Sequence, residues 1–233
     1  YFFDEYKVSR CGMKKYDLVI FDLDGTILDT TQGVLAAVKY TIEQMNFEML
    51  PDEQLATFIG PPIQDSFAKA YNLSGDILQN IATIFRNQYK DHDLLKATPY
   101  SGIFDVLQKL EESEIASAVA TYKREDYALT LLKHYGFDKY MPIMHGADHE
   151  NKLKKQDIIQ ICIDEAGISD KSRVIMVGDT IHDAVGAEKL GVDFIGVTYG
   201  FGFKSLEETT TVPNIGFVEK PMDIIKLVTT NKD

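Results

Sequence analysis

The sequence predicts an α/β protein built on a doubly wound parallel sheet, interrupted once by an all-helical insertion after the first strand. Short apolar runs alternate with helix-length amphipathic stretches over most of the chain, while the stretch from Thr31 to about Lys96 carries helical patterns only. The residues that close the apolar runs are unusually polar. Open parallel sheets bind ligands beyond the carboxyl ends of their strands, so these closing residues are where function is sought.

The first element, YDLVIFD at 16–22, reads as a buried strand. Helices are expected in TQGVLAAVKYTIEQMNF (31–47), PDEQLATFI (51–59), PPIQDSFAKAY (61–71) and SGDILQNIATIFRNQYKDHDLL (74–95). Pro51, Gly60-Pro61-Pro62 and Ser74-Gly75 punctuate them. After Pro99 the alternation resumes with a helix at 101–112, strand IASAVA at 115–120, a helix at 123–135 and strand YMPIMHG around 140–146. A helix at 155–166, strand RVIMVGD at 173–179, a helix at 181–190 and strand VDFIGVT at 192–198 follow. A short strand near Gly216 to Val218 and a helix at 221–230 end the series. This divides the chain into a core, 13–29 with 98–233, and a helical insertion, 30–97.

Composition narrows the partners. With 233 residues, 45% hydrophobic, the chain is long enough for a main domain and a smaller insert. Acidic residues outnumber basic ones 36 to 24, a net charge of -12, and no basic block with interleaved aromatics appears. Nucleic acid and anionic membranes are therefore disfavoured, and a small molecule is expected. Cys11 and Cys162 offer neither metal spacing nor a disulfide framework, which fits a reducing cytoplasm. No apolar run approaches the ~18 residues that span a bilayer. The opening YFFDEYKVSRCG lacks the shape of a signal peptide and a starting methionine. Met13 reads as the natural start, and 1–12 as an upstream extension or cloning remnant.

The strand ends carry the chemistry. Asp22 and Asp24 are two residues apart, so in extended chain their carboxylates point to one side. Later, Ala120 leads to Thr121-Tyr122-Lys123, and Val177 leads to Gly178-Asp179-Thr180-Ile181-His182-Asp183. Asp179 and Asp183, four apart at a helix start, can share a face. Four carboxylates converging from two strands are costly unless a cation sits among them, and all-oxygen ligation points to Mg²⁺ rather than zinc. Plainer readings compete: an Asp-Gly turn for Asp22 and Asp24, a helix cap for one of the later acids, an N-cap for Thr121. His182 reads as a solvated helix residue, and Lys152, Lys154 and Lys155 as a solvated cluster.

FDLDGT after an apolar strand, a strand-terminal Thr121, a lysine-rich segment and VGDTIHD together resemble the haloacid dehalogenase superfamily of phosphotransferases. The likeness spans about 14–230. GPPIQDSF at 60–67, TPYSG at 98–102 and the helical insertion resemble the helical cap of its phosphoglycolate phosphatase-like branch. The resemblance implies a Rossmann-like core and a Mg²⁺-dependent phosphatase acting on a small phosphorylated metabolite. Asp22 would attack phosphorus, and Asp24 would protonate the leaving oxygen and then activate water. Mg²⁺ would be held by Asp22, the backbone carbonyl of Asp24, Asp179 and Asp183.

Substrate contacts are implied at Gly25, Thr26, Thr121, Tyr122 and Lys123, with the segment Phe58 to Asp65 facing the leaving group. Lys155, in a Lys-x-Asp-x-Ile-like setting, is favoured as the phosphate-binding lysine over Lys152, the runner-up, and Lys154. The bulky Tyr122 and the KLKKQDII run at 152–159 depart from the common pattern and leave the substrate open, with phosphoglycolate as the default. A sugar phosphomutase on the same scaffold and a non-catalytic binding protein are the alternatives. The chain is expected to be a monomer or homodimer.

Overall fold

The computed structural model describes residues 16–150, 152–204 and 212–229. The segment 1–12, Met13 and Cys11 lie outside them. In chain order the chain forms β1 (Leu18–Phe21) and β2 (Leu28–Asp29), then four helices, α1 (Thr31–Gln44), α2 (Asp52–Ala56), α3 (Ile63–Tyr71) and α4 (Ile77–Gln88). It returns through β3 (Thr98–Pro99), α5 (Ile103–Glu112), β4 (Ala116–Arg124), α6 (Glu125–His134) and β5 (Ile143–Ala147). The last elements are α7 (Lys155–Glu165), β6 (Val174–Gly178), α8 (Ile181–Leu190), β7 (Asp193–Val197), β8 (Gly216–Val218) and α9 (Asp223–Thr229).

Six strands form one parallel sheet in the order β5-β4-β1-β6-β7-β8. The expected doubly wound α/β architecture is therefore present. Alternation along the strands explains why both faces are covered. Leu18 and Ile20 of β1 join Ala118, Ala120, Val174 and Met176 against Ile158, Ile159 and Cys162 of α7 and Ala184 and Ala187 of α8. Val19 and Phe21 join Val119, Ile175 and Val177 on the other face, against Val106 and Leu110 of α5, Leu131 of α6 and Ile224 of α9. The central strands β1 and β6 are buried on both sides, as expected of a parallel sheet, while the edge strands β5 and β8 are half-buried. Strand β1 lies between β4 and β6, and the chain winds away from it in both directions. Its carboxyl end is the switch point of the sheet.

The helices α1–α4 bury a core of their own, with Val38, Ile42, Leu55, Phe58, Phe67 and Ile81. Helix α4 runs on into a π-helical turn, Tyr89–Asp93, whose Tyr89 and Leu94 just beyond it reach the core of the sheet. Three local features depart from the sequence expectation. The stretch expected to be a strand at 115–120 extends to Arg124 because Arg124 still pairs with Ala147 of β5, across an irregularity after Ala120. Thr121 is consequently a strand residue and not a helix cap. The expected strand around 140–146 begins only at Ile143. The two chain crossings between sheet and helices, read as connections, pair as a two-residue antiparallel ribbon, Leu28 with Pro99 and Asp29 with Thr98. Gly33 tightens the same junction by donating its N–H to the Lys96 carbonyl at 2.9 Å.

Candidate active site

Asp22 follows β1 directly and is anchored by its own N–H to the Val177 carbonyl of β6, 2.9 Å away. Asp179 follows β6, and Asp183 sits in the first turn of α8. All three are buried, and one carboxylate oxygen from each lies within 4.8 Å of the others. Different local devices hold them there. Asp179 Oδ2 accepts from the backbone N–H groups of Phe201 (2.7 Å) and Gly202 (3.1 Å). Asp183 Oδ2 accepts from the Thr180 N–H (3.0 Å) and hydroxyl (2.8 Å), the work of a helix-start acid. Its other oxygen faces Asp22 and Lys155. Capping and site membership, rival readings of the sequence, are divided between the two oxygens of one carboxylate.

Lys155, the first residue of α7, is 2% exposed. Its Nζ lies 2.6 Å from Asp22 Oδ1 and 2.7 Å from Asp183 Oδ1. The start of α7 is fixed by Asp157, which accepts the Lys154 N–H, and by Tyr122, whose hydroxyl accepts the Lys155 N–H at 2.9 Å. Gly186 of α8 leaves room for the lysine stem: a Cβ there would stand 3.0 Å from Lys155 Cγ. Lys152 pairs with Glu150 and Lys154 is exposed, so only Lys155 of the three reaches the acids.

Burial pushes the Asp22 carboxyl up to about 8; Lys155 opposes the shift and the charges of Asp183 and Asp179 add to it. Burial and the Asp183 charge push Asp179 up to about 6, against the two backbone N–H groups. For Lys155, burial works against the charged form, but Asp183 and Asp22 outweigh it and its pKa is raised. With all three carboxylates ionised, the one ammonium leaves the cluster two charges negative. Asp183 Oδ1 is buried without an aligned hydrogen bond, although the Lys155 ammonium is close. A hard divalent cation fits this set: oxygen donors only, close together, with charge and a lone pair still unmatched.

The Asp24 carboxylate lies apart from the cluster. Its Oδ1 accepts from the Thr30 hydroxyl at 2.6 Å and lies 3.1 Å from Lys123 Nζ. Among the described residues Oδ2 has no hydrogen-bond partner. Lys123 also donates to the Tyr89 hydroxyl at 3.0 Å and lies 4.9 Å from the centre of that ring. Burial works against its charge, but Asp24 and Tyr89 outweigh it, so its pKa is raised.

Two residues expected to touch substrate are occupied otherwise. Thr26 is fully buried, its hydroxyl turned to Asp179 at a long 3.5 Å. Gly25 spends its N–H on the Leu28 carbonyl, and its φ of +80° with a hypothetical Cβ 2.3 Å from Asp179 Oδ2 makes it a packing requirement. The carboxylate of Asp24, expected to converge with the other three acids, is held apart from them by Thr30 and Lys123; the atom expected in the metal set is its backbone carbonyl. Thr121 is buried, and its Oγ1 accepts the Lys123 N–H at 3.1 Å, while Tyr122 is 41% exposed and packs edge-on to His182. In the expected leaving-group segment, Phe58 is turned into the helical core beside Phe67, and Gly60, Pro61 and Pro62 are exposed. Thr30, Tyr89 and the Phe201–Gly202 amides are parts of the site that sequence reasoning missed. Only the proximity of Thr30 to FDLDGT offered a signal, since backbone amides carry none and Tyr89 is far along the chain.

Comparison with known proteins agrees with this geometry. The family model for haloacid dehalogenase-like hydrolases matches residues 19–197. A 5'-nucleotidase of Pseudomonas aeruginosa is 28% identical over 83% of this chain and 87% of its own length. A phosphoglycolate phosphatase of Agrobacterium fabrum is 31% identical, over 79% and 81%. The solved structure of a candidate phosphatase from Clostridium difficile superposes with a TM-score of 0.85 at 30% identity, covering 92% of this chain and 99% of that one. Sheet order, acid cluster and family match converge: the chain belongs to the haloacid dehalogenase-like hydrolase family.

Proposed function

We propose that the protein is a cytoplasmic, Mg²⁺-dependent phosphatase that hydrolyses a small phosphate monoester through an aspartyl-phosphate on Asp22. The observation that carries this reading is the different setting of two acids only two residues apart. Asp22 is buried against Lys155, and Asp24 stands outside the cluster with one oxygen free. Both neighbours of Asp24 Oδ1 are donors, so a proton on this acid resides on Oδ2.

In the first half-reaction a carboxylate oxygen of Asp22 forms a bond to phosphorus while the bond to the leaving oxygen breaks, and Asp24 Oδ2 gives that oxygen its proton. In the second, the Asp24 carboxylate takes a proton from water as the water oxygen attacks phosphorus. The bond to Asp22 breaks, phosphate leaves and both acids are restored. Asp22, Asp179, Asp183 and the Asp24 carbonyl would hold Mg²⁺, which when bound keeps Asp22 ionised and neutralises the phosphoryl group. Lys155 and Thr121 would bind non-bridging oxygens, and Tyr122 and Lys123 would stand at the mouth. The insertion 30–97 would serve as the cap.

The phosphoglycolate phosphatase and 5'-nucleotidase among the relatives support a small organic leaving group, with phosphoglycolate the default. The acidic balance of the chain supports a metabolite rather than nucleic acid or an anionic membrane, acted on by a monomer or homodimer. Among the described residues no helix is long and apolar enough to cross a membrane. Phosphate release from p-nitrophenyl phosphate, with and without a chelator, tests the activity, and acid-quench labelling of Asp22 tests the intermediate. No release in the presence of Mg²⁺ would overturn the proposal, and a panel of phosphorylated metabolites including phosphoglycolate would identify the substrate.

A further inference from the structure

We infer that Tyr89 is a positioning residue for the proton transfer: it holds Lys123 against Asp24, so that delivery of the proton depends on the helical insertion being seated on the sheet. This rests on the reading of Asp24 as the acid. Among the described residues Lys123 Nζ has two polar neighbours, Asp24 Oδ1 at 3.1 Å and the Tyr89 hydroxyl at 3.0 Å, and it lies 4.9 Å from the centre of the Tyr89 ring. Lys123 belongs to β4 and Asp24 to the loop that follows β1, whereas Tyr89 belongs to the insertion. A lysine stem carries several free torsions, and one contact to Asp24 leaves most of them open. The hydroxyl and ring face of Tyr89 remove that freedom.

Tyr89 is itself rigidly seated. It is 4% exposed, stacks on Phe85 at 5.7 Å and 7°, and meets Tyr127 of α6 edge-on at 6.1 Å. It opens the π-helical turn Tyr89–Asp93, a distortion that recurs at functional sites. If the residue served packing alone, the ring would suffice and the hydroxyl would be expendable. Its hydroxyl instead accepts from Lys123, the one lysine among the described residues that touches Asp24.

The test compares Tyr89→Phe with the parent on phenyl phosphate, a poor leaving group, and 2,4-dinitrophenyl phosphate, which departs without a proton. Expected is a loss in kcat/KM, which reports transfer to Asp22 and not the later hydrolysis that both esters share, of about tenfold or more on phenyl phosphate and under about threefold on the dinitrophenyl ester. Lys123→Met should show the same split, Lys123→Arg should recover part of it, and Asp24→Asn should show it more strongly. Equal losses on both esters, or none on either, in a Tyr89→Phe protein of parental melting temperature would overturn the inference while Asp24→Asn still splits them. Absence of a split in Asp24→Asn would instead overturn the acid assignment, and the inference with it.

Discussion

Removing divalent metal while raising the pH should destabilise this protein, by an amount that can be worked from Asp179. Its carboxyl is pushed up to about 6 by burial and by Asp183. A carboxyl whose folded pKa exceeds its unfolded value near 3.9 binds its proton more tightly in the folded state. Its stabilising contribution is therefore complete below about pH 4 and is lost as the pH rises through about 6. Two units at ~1.4 kcal/mol each amount to about 3 kcal/mol. Asp22, pushed up to about 8, extends the loss in the same direction to higher pH.

For a chain of this length, about 3 kcal/mol corresponds to a fall in Tm of roughly 6 to 12 °C. Bound Mg²⁺ should offset the loss, so its stabilising effect should be small at about pH 5 and large at about pH 8. Calorimetry with EDTA or with millimolar MgCl₂ at the two pH values reads this directly. Asp179→Asn, which cannot titrate there, separates the local effect from the repulsion of a chain of net charge -12. A metal-free parent as stable at about pH 8 as at about pH 5, or an Asp179→Asn protein with the parental slope, would refute the reasoning.

Asp22→Asn should keep the fold and lose turnover by several orders of magnitude, because an amide forms no acyl-phosphate; near-parental rates in a steady-state assay would exclude Asp22 as nucleophile. Lys155→Ala should lower kcat/KM by about 10² to 10³ at saturating Mg²⁺ while Lys152→Ala and Lys154→Ala stay within about threefold, since only Lys155 touches Asp22. Gly25→Ala places a Cβ 2.3 Å from Asp179 Oδ2 at a φ of +80°, and should cost about 1–3 kcal/mol in a denaturant titration; an unchanged midpoint would mean that the loop yields freely. Burial pushes the Cys162 thiol up to about 12, so peptide mapping after iodoacetamide treatment near neutral pH should find it unmodified until urea is added.

Much of the sheet was legible because each strand is a short apolar run, and the i, i+2 rule already sorts Leu18 and Ile20 from Val19 and Phe21. The acids were legible for a related reason: Asp22 and Asp179 stand where apolar runs end, and a charged residue at the end of a buried strand is rarely incidental. What stayed hidden depends on partners distant in sequence. Thr121 to Arg124 continue β4 only because β5 lies alongside, and TYKR carries no apolar signal of its own. Gly25 reads as a turn glycine, yet the neighbour that forbids a side chain is Asp179. Backbone amides at Phe201 and Gly202 hold Asp179 whatever their side chains. Tyr89 reads as one more apolar position of an amphipathic helix, and nothing in its spacing marks the hydroxyl.

The pairing of β2 with β3 makes the helical segment excisable in principle. Leu28 opposite Pro99 and Asp29 opposite Thr98 already form the stub of a hairpin. Two-residue turns such as Asn-Gly close antiparallel strands of that kind, so 68 residues between Asp29 and Thr98 could be traded for two without moving either strand. The obstacle is chemical and local: Tyr89, Leu94 and Ala37 cover part of the sheet-side core, and their removal would uncover apolar surface beside Tyr127. A trimmed core would therefore need polar replacements on that face before it stayed in solution. The helices are a cassette by backbone geometry and a permanent fixture by surface chemistry.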